Sequence, residues 1–371
     1  MKHINLLIKP ASGNCNLRCK YCFYHDITEI REVGNYGIIN ESLMENMIKK
    51  TLNTAKISAT FAFQGGEPTL AGIEFFKKVV NLQKKYNVSN ININNAIQTN
   101  GTLIDDEWAS FLAENKFLTG ISLDGTKDIH DLNRLDAKGC GSFTRVIHAI
   151  ELFDKYGAEY NILTVVSKTV AKHINKVFKF FEKNNFKFLQ FIPCLDPLED
   201  TPGGKVYSLT PDLYGEFLIK LFELYYKAAI DNKYISIRFF DNLVEMLMGH
   251  PPESCGMLGI CSCQFVIEGN GNVYPCDFYC IDKYLMGNIS QNSLEELFYS
   301  PAAQNFIKDS YHMASACGNC RFYNICRGGC KRYREPFIDG KPGLSYFCDS
   351  YKTFFEKCLP GLQQLAVKFR R

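Results

Sequence analysis

A repeated alternation of strand-like and helix-like segments constrains the fold of the first two-thirds of this chain. Apolar runs suited to strands occur six times, at residues 4–8, 58–63, 91–97, 117–123, 159–166 and 186–192. Stretches with the apolar spacing of amphipathic helices separate them, for example 73–86 and 143–157. This order predicts an α/β fold with a parallel sheet and outer helices. A doubly wound sheet and an open barrel both fit, and in either one functional sites collect at the carboxyl ends of the strands.

The pattern changes after about residue 200. A Gly/Pro-rich loop, TPGGK, is followed by a long helical stretch at 211–232 and by ISIRFF at 235–240, which is typical of a strand. From Cys255 to Cys358 the chain has eleven cysteines among short elements and turns. Such a segment cannot form a large apolar core, so we expect metal to build it. The sequence thus predicts two domains, residues 1–235 and residues 236–371.

The 16 cysteines of the 371-residue chain bear on its cellular compartment. Secreted proteins pair such cysteines in disulfides, whereas cytosolic proteins use them as metal ligands. The N-terminal MKHINLLIKP has too short an apolar run for a secretory signal, and no stretch approaches transmembrane length. We expect a cytoplasmic protein with metal-binding cysteines, and disulfides are the minor alternative. The net charge of +3 gives no basis for binding nucleic acid or a membrane surface.

Three cysteines follow the first predicted strand, in SGNCNLRCKYCFYH. Cys15, Cys19 and Cys22 have the spacing C-x3-C-x2-C. Three thiolates can hold three corners of a cubane iron–sulfur cluster, whereas structural zinc and ferredoxin-type clusters require a fourth protein ligand. The spacing resembles the motif of the radical S-adenosylmethionine (SAM) enzymes, in which SAM binds the open iron and is cleaved to a 5′-deoxyadenosyl radical. A structural metal clip is the alternative.

The resemblance to radical SAM enzymes implies roles for residues near other strand ends. Gly66, in the QGGEP segment after the second strand, would contact the SAM amino group, although a Gly-Gly pair is also typical of a tight turn. Ser122 would reach the SAM carboxylate or ribose, and Arg134 would bind the carboxylate. Without the resemblance, Arg134 is equally compatible with a solvated helix charge. Tyr21 and Leu195 complete the implied SAM contacts, the latter at the adenine.

Eight further cysteines resemble the ligands of a SPASM module, a double iron–sulfur extension of radical SAM enzymes that modify peptides. By this resemblance the nearer auxiliary cluster is held by Cys255, Cys261, Cys276 and Cys330. The farther auxiliary cluster is held by Cys317, Cys320, Cys326 and Cys348. The cysteines left without a role are Cys140, Cys194, Cys263, Cys280 and Cys358. A zinc ribbon is the competing interpretation of the cysteine pairs, and Cys280 could compete with Cys276 for iron.

Five segments, in order, resemble the anaerobic sulfatase-maturating enzymes: IKPASGNCNLRCKYCFYH, FAFQGGEPTLAG, QTNGTLIDDEWASFL, CQFVIEGNGNVYPCDFY and CRFYNICRGGC. This resemblance implies a partial (β/α)6 barrel of radical SAM type with a C-terminal SPASM module, three [4Fe-4S] clusters and SAM. The implied reaction oxidises a Cys or Ser of a sulfatase, in a Cys/Ser-x-Pro-x-Arg sequence, to Cα-formylglycine, with SAM cleaved to 5′-deoxyadenosine and methionine. The implied partners are the sulfatase polypeptide and a flavodoxin or ferredoxin electron donor. The alternatives are another SPASM peptide modifier, such as a thioether-forming maturase, and a non-catalytic metal protein.

The segment NVYPCDFYC places Asp277 directly after Cys276. Successive side chains of an extended chain point to opposite faces, so Asp277 would point away from a cluster bound by Cys276. The Gly-Asn-Gly turn before this segment predicts a hairpin. By the family resemblance Asp277 is the proton acceptor, whereas the alternative is a surface aspartate beside a ligand. Tyr24 and Gln64 are candidate contacts of the target peptide.

Overall fold

The structure, a computed structural model, describes residues 1–198, 200–337 and 341–370. Its strands are β1 (His3–Ile8), β2 (Ser58–Phe63), β3 (Asn92–Thr99), β4 (Leu118–Ser122), β5 (Tyr160–Val166), β6 (Phe188–Pro193), β7 (Ser236–Ile237), β8 (Val266–Ile267), β9 (Asn272–Tyr274) and β10 (Gly287–Asn288). Its helices are α1 (Phe23–Ile30), α2 (Glu41–Thr54), α3 (Ile73–Tyr86), α4 (Asp106–Glu114), α5 (Lys127–Asn133), α6 (Phe143–Tyr156), α7 (Lys168–Lys172), α8 (Ile174–Lys183), α9 (Pro211–Ile230), α10 (Arg238–Met248), α11 (Leu294–Phe298), α12 (Pro301–Ser310), α13 (Ser315–Gly318), α14 (Tyr323–Cys326) and α15 (Cys348–Phe369).

The six strands predicted for the first two-thirds of the chain all form, as β1 to β6, and the α/β prediction is confirmed. The prediction of a strand over 235–240 is wrong for its second half. Only Ser236 and Ile237 are extended, and Arg238 begins α10. The apolar residues Phe240, Leu243 and Val244 are buried at helical spacing, so packing of one helix face overrides the local β-propensity of ISIRFF.

The chain forms two compact units, each assembled from three chain segments. Unit 1 comprises Met1–Ser122, Arg134–Tyr160 and Cys263–Phe306, and unit 2 comprises Leu123–Asn133, Asn161–Ser262 and Ile307–Arg371. The predicted domain boundary between residues 235 and 236 stays a prediction.

Unit 1 contains a mixed sheet in the order β10-β9-β8-β1-β2-β3-β4. Strands β1 to β4 run parallel, and β8 pairs parallel with β1 on its other side. β9 returns antiparallel to β8, which confirms the hairpin predicted from the Gly-Asn-Gly turn. β10 completes the sheet antiparallel to β9.

Aromatic side chains form much of the core of unit 1. Phe63 on β2 packs edge-on against Phe76 of α3, with ring centroids 5.0 Å apart, and Phe117 also approaches both rings. All three side chains are buried, and each contributes about 1.5–3 kcal/mol of hydrophobic stabilisation. At the N-terminus of α2, the Asn40 side chain accepts a hydrogen bond from the Leu43 amide at 2.9 Å. Core packing and caps thus hold this sheet independently of any metal.

The parallel order of the strands determines where polar residues of unit 1 collect. Lys9, Gln64 and Asn100 come directly after β1, β2 and β3, and Ser122 is the last residue of β4. Because parallel strands end at the same edge of a sheet, these residues share one edge. The predicted functional edge is therefore present in unit 1.

Unit 2 contains the parallel strands β5, β6 and β7 and the two longest helices, α9 and α15. Phe222 of α9 packs edge-on against Phe354 of α15, with centroids 5.9 Å apart. Ser350 donates a hydrogen bond to the Pro211 carbonyl at 2.5 Å, which fixes the start of α15 against α9. Among the described residues, no helix combines the length and apolar character needed to cross a bilayer.

Candidate active site and metal-binding cysteines

The loop between β1 and α1 carries the first cysteine cluster. Cys15, Cys19 and Cys22 line one cavity of unit 1, and Gly66 lines it as well. The Cys15 sulfur accepts hydrogen bonds from the Leu17 amide at 3.4 Å and from Asn100 Nδ2 at 3.8 Å. Burial raises the pKa of the Cys15 thiol to about 11, so only a strong cation such as a cluster iron would keep it as a thiolate at neutral pH. Three cysteines on one cavity fit a cluster with an open iron.

A buried carboxylate that sequence reasoning missed supports this loop. Glu67 accepts hydrogen bonds from the Asn100 amide at 2.7 Å and from the hydroxyls of Thr69 and Thr99, each at 2.7 Å. Its own amide donates to the Asn14 carbonyl at 2.8 Å. Burial raises the pKa of Glu67, although these donors oppose the shift. Glu67 therefore ties the ends of β2 and β3 to the cysteine loop, and its position in GGEP was the available signal.

The Gly-Gly pair is required by close packing within the protein. Gly65 has φ +114°, and a Cβ there would lie 2.7 Å from the Lys9 ammonium nitrogen. Gly66 has φ +55°, and its Cβ would lie 2.2 Å from the Asn14 carbonyl oxygen. Any larger residue would displace the cysteine loop or Lys9. Gly66 remains the predicted SAM contact, and its place on the cysteine-lined cavity supports that role.

The other predicted SAM contacts occupy both units. In unit 1, the Arg134 guanidinium lies 5.5 Å from the Tyr21 ring centroid, and both residues are buried. Ser122 Oγ accepts a hydrogen bond from Gln98 Nε2 at 3.2 Å. Leu195 belongs to unit 2, where it lines a small pocket with Phe347. The structure thus brings Tyr21 and Arg134 together, while the roles of all these residues stay predictions.

Asp277 lies within unit 1 and is buried. The chain is extended at Cys276, with φ −155° and ψ 146°, but a 3-10 helix begins at Asp277, so the alternation expected from an extended strand ends there. Lys9 donates to Asp277 Oδ1 at 2.5 Å, and Gln64 Nε2 donates to Oδ2 at 2.8 Å. Burial alone would lower the pKa of Lys9, but the carboxylate of Asp277 raises it overall. Lys9 is therefore a charged ammonium at neutral pH.

A second ion pair lies beside the first. Glu268 accepts hydrogen bonds from the Tyr24 hydroxyl, from Ser12 Oγ at 2.9 Å and from Arg31 at 2.7 Å. The side chains of Arg31 and Glu268 are both fully buried. Burial, reinforced by Glu268, raises the pKa of Tyr24 far above its ordinary value. The hydroxyl of Tyr24, a residue predicted to contact the peptide, is thus engaged within the protein, and Tyr24 also lines the cysteine cavity.

Cys280 is explained by packing. Its side chain has no exposed surface and contacts the apolar cluster of Tyr24, Ile27, Val266 and Tyr274. Its thiol lies 3.6 Å from the Cys276 carbonyl oxygen, and burial raises its pKa far above the ordinary range. Neutral core thiols of this kind are common. This supports our interpretation of Cys280 as a buried thiol rather than a ligand.

The four cysteines predicted for the farther auxiliary cluster lie together in unit 2. Cys317, Cys320, Cys326 and Cys348 line one pocket, whose walls include Phe322 and Tyr351. Four cysteines on one pocket with apolar neighbours fit an iron–sulfur cluster. The predicted residues thus converge although 31 positions separate the first from the last (348 − 317 = 31).

Three of the four cysteines predicted for the nearer auxiliary cluster also belong to unit 2. A Cβ on Gly256 would lie 3.4 Å from the Cys330 Cβ, which places Cys330 beside the Cys255 turn. Burial raises the pKa of Cys330 to about 12, and Cys261 and Cys255 raise it further because they lie close by. Cys276 belongs to unit 1. Within the described residues, no three His, Cys, Asp or Glu side chains are arranged to hold a single metal ion.

Comparison with known proteins defines the class. Residues 10–181 match the Radical SAM superfamily, and residues 255–321 match SPASM, an iron–sulfur cluster-binding domain. The first match contains the cysteine loop, and the second covers the first part of the cysteine-rich segment, as far as residue 321. The protein is a radical SAM enzyme with an iron–sulfur cluster-binding module.

Individual relatives identify the family within this class. The chain is 51% identical to the cysteine-type anaerobic sulfatase-maturating enzyme of Clostridium novyi (strain NT), over 99% of this chain and 98% of the relative. It is 32% identical to the serine-type enzyme of Bacteroides thetaiotaomicron, over 97% of this chain and 90% of the relative. A solved structure of native anSMEcpe with bound AdoMet and Cp18Cys peptide superposes with a TM-score of 0.96, 49% identity and 99% coverage of both chains. The chain belongs to the anaerobic sulfatase-maturating enzymes.

These findings confirm the family and fold class predicted from the sequence, a radical SAM partial barrel with a SPASM module. They also confirm that the protein is an enzyme. The residue assignments depend on the geometry above.

Proposed function

We propose that the enzyme oxidises a cysteine of a sulfatase, within a Cys-x-Pro-x-Arg sequence, to Cα-formylglycine. The observation that carries the reaction is the buried carboxylate of Asp277, held by Lys9 and Gln64 at the functional edge of unit 1. The choice of cysteine over serine rests on identity, which is 51% and 50% to two cysteine-type relatives but 32% to a serine-type relative.

The cysteines supply ligands for three [4Fe-4S] clusters. Cys15, Cys19 and Cys22 would hold the cluster that binds SAM. The nearer auxiliary cluster would be held by Cys255, Cys261, Cys276 and Cys330, and the farther one by Cys317, Cys320, Cys326 and Cys348. When bound, these groups supply the 5′-deoxyadenosyl radical that takes a hydrogen atom from the substrate β-carbon and an outlet for one electron.

The protein itself must accept a proton. Removing a hydrogen atom, a proton and an electron from the cysteine –CH2–SH leaves a thioaldehyde –CH=S, which water hydrolyses to the aldehyde and hydrogen sulfide. Asp277 accepts the S–H proton, and a general base of this kind contributes about a hundredfold or more in rate.

The remaining site residues orient SAM and the peptide. Arg134 would bind the SAM carboxylate, and its packing over Tyr21 restricts its rotamers. Gly66, Ser122 and Leu195 would contact other parts of SAM. The place of Tyr24 on the cysteine cavity supports a peptide contact there, and the hydrogen bond of Gln64 to Asp277 supports a contact of Gln64.

The partners are a sulfatase polypeptide and a small electron donor such as a flavodoxin or ferredoxin. A reducing cytoplasm would keep the eleven proposed ligands free of disulfides and available to iron, so we place the enzyme there. We also propose residues 1–235 as the radical SAM domain and 236–371 as the auxiliary-cluster domain.

The proposal is tested with reduced, iron-loaded enzyme, SAM and two peptides that differ only in Cys or Ser before x-Pro-x-Arg. We expect formylglycine, detected by mass and aldehyde labelling, with one 5′-deoxyadenosine per product and faster turnover of the cysteine peptide. A crosslinked peptide would instead identify another peptide-modifying reaction, and absence of SAM cleavage would reject radical catalysis.

The role of Asp277 is tested by Asp277→Asn, which keeps the size and one hydrogen-bonding oxygen. We expect about a hundredfold less formylglycine while 5′-deoxyadenosine formation continues. Wild-type product yield in this variant would reject Asp277 as the proton acceptor.

A further inference from the structure

Lys9 is a charged residue in the interior with no role assigned so far. It follows β1 directly, and its side chain has no exposed surface. Its ammonium lies 2.5 Å from Asp277 Oδ1. An ammonium removed from water is strongly unfavourable unless a counter-charge meets it, so the two groups depend on each other in the folded protein.

The Asp277 carboxylate is held at both oxygens. Lys9 donates to Oδ1, and Gln64 Nε2 donates to Oδ2 at 2.8 Å. Two donors at different oxygens fix the plane of a carboxylate as well as its position. Removing one donor frees the group to rotate.

The Lys9 ammonium also contacts an aromatic ring. Its Nζ lies 3.8 Å from the centroid of the Tyr24 ring, a cation–π contact. The Tyr24 hydroxyl donates to Glu268, which pairs with Arg31 at 2.7 Å. The second buried ion pair therefore anchors the ring on which the Lys9 ammonium rests.

The Gly-Gly loop provides the space for the lysine. A Cβ on Gly65 would lie 2.8 Å from Lys9 Cγ and 3.0 Å from Cδ, in addition to its approach to Nζ. The Lys9 stem thus lies along Gly65, and Gln64, the other donor to Asp277, precedes that glycine. One loop therefore positions both donors.

We propose that Lys9 is a positioning residue for Asp277, which it reaches through the space beside Gly65 and holds in one orientation toward the target cysteine. This inference rests on the proposed function, in which Asp277 accepts the thiol proton. Hydrogen-atom removal from the β-carbon does not need an oriented carboxylate, whereas the proton transfer that follows does. Loss of the Lys9 ammonium should therefore lower formylglycine formation while SAM cleavage continues.

The first experiment compares Lys9→Met with wild-type enzyme on the cysteine peptide. Methionine retains most of the length of the stem and removes the ammonium. We expect the ratio of formylglycine to 5′-deoxyadenosine to fall about tenfold or more. The peptide concentration that gives half-maximal 5′-deoxyadenosine formation should change by less than about twofold, because binding precedes the step affected. A general structural defect would lower both products together and leave their ratio unchanged, and that result would overturn the inference.

Lys78→Met is the matched control. Lys78 makes an exposed ion pair with Glu41, so the control removes the same functional group at the surface. We expect the wild-type product ratio. An equal fall in the control would show that loss of any paired lysine has this effect and would overturn the inference.

The Lys9→Met variant leaves Asp277 buried without a counter-charge, and for this reason the protein could fail to fold. A double variant tests the inference in that case. Lys9→Met combined with Asp277→Asn removes both charges. We expect the double variant to fold, as judged by its melting temperature, and to show the product ratio of Asp277→Asn alone. A lower ratio than Asp277→Asn, or failure of the double variant to fold, would show that Lys9 acts by another route. Absence of formylglycine from wild-type enzyme would instead reject the proposed function, so the two failures are distinguishable.

Discussion

The cysteine loop of unit 1 and the cysteine pocket of unit 2 differ in how the surrounding structure holds their cysteines. Cys15, Cys19 and Cys22 lie between β1 and α1, on a loop that Glu67 ties to neighbouring strand ends. The pocket of Cys317, Cys320, Cys326 and Cys348 is built around α13 and α14, helices of four residues each that contain no buried residue. The first site is therefore held by the fold, whereas we expect the second to be held largely by the cluster proposed for it.

The largest effect is expected at the loop. Cys19→Ala should abolish SAM cleavage, by at least about a thousandfold, because no other group supplies the electron. The sheet does not depend on this residue, so the circular dichroism spectrum and melting temperature should stay close to wild type. Cys140→Ala, at an exposed cysteine of the same unit, serves as the control. Unfolding of Cys19→Ala would contradict the difference between the two regions, because it would show that the loop also depends on a bound cluster.

Removal of iron should affect the two regions differently. We expect anaerobic chelation to abolish hydrogen-exchange protection of backbone amides in α13 and α14 while β1 to β4 stay protected. Measurement by mass spectrometry of peptides covering both regions tests this. Equal loss of protection in both would contradict a self-supporting loop.

Two substitutions on α15 test whether the cysteine pocket of unit 2 binds iron. Cys348 and Cys358 both belong to α15, but only Cys348 lines the cysteine pocket. Cys348→Ala should lower the iron content from about twelve to about eight per chain, whereas Cys358→Ala should leave it unchanged. Iron and sulfide analysis of anaerobic preparations measures both. Full iron content in Cys348→Ala would remove this residue from the ligand set.

The smallest effect is expected for Cys280→Ala. This residue is fully buried against an apolar cluster and is not one of the proposed ligands. The variant should retain all its iron and lose about 1 kcal/mol of unfolding free energy, because a small cavity replaces the sulfur. Denaturant titration measures the stability. A loss of iron would instead show that Cys280 competes with Cys276 as a ligand.

The order and type of elements in the first two-thirds could be predicted because each strand and helix carries its own periodicity. The strand predicted over 235–240 forms at Ser236 and Ile237, but the prediction was wrong from Arg238 onward. There, packing of Phe240 and the residues after it makes the chain helical despite its local β-propensity. The resemblance to the SPASM module predicted Cys317, Cys320, Cys326 and Cys348 as one group, and the structure places all four on one pocket.

The buried charges around Asp277 could not be predicted in the same way. Lys9, Arg31 and Glu268 are far apart in sequence, and a lone charged residue is usually exposed. Only the folded chain shows that each meets an opposite charge. A signal did exist for Lys9, which directly follows the first strand at the edge where sites collect. The extended geometry assumed for Asp277 also ended one residue early, at the 3-10 turn.

The position of Cys348 at the first residue of α15 has a consequence for biosynthesis. The loop of Cys15, Cys19 and Cys22 leaves the ribosome before most of the strands, but the cysteine pocket gains its last wall only when α15 emerges. Delivery of the cluster proposed for that pocket would therefore follow synthesis of the ten strands that the structure describes. Maturation of the enzyme is thus ordered in time by the order of its chain, and a cell short of iron would accumulate protein with the sheet formed and the cysteine-rich segment still open.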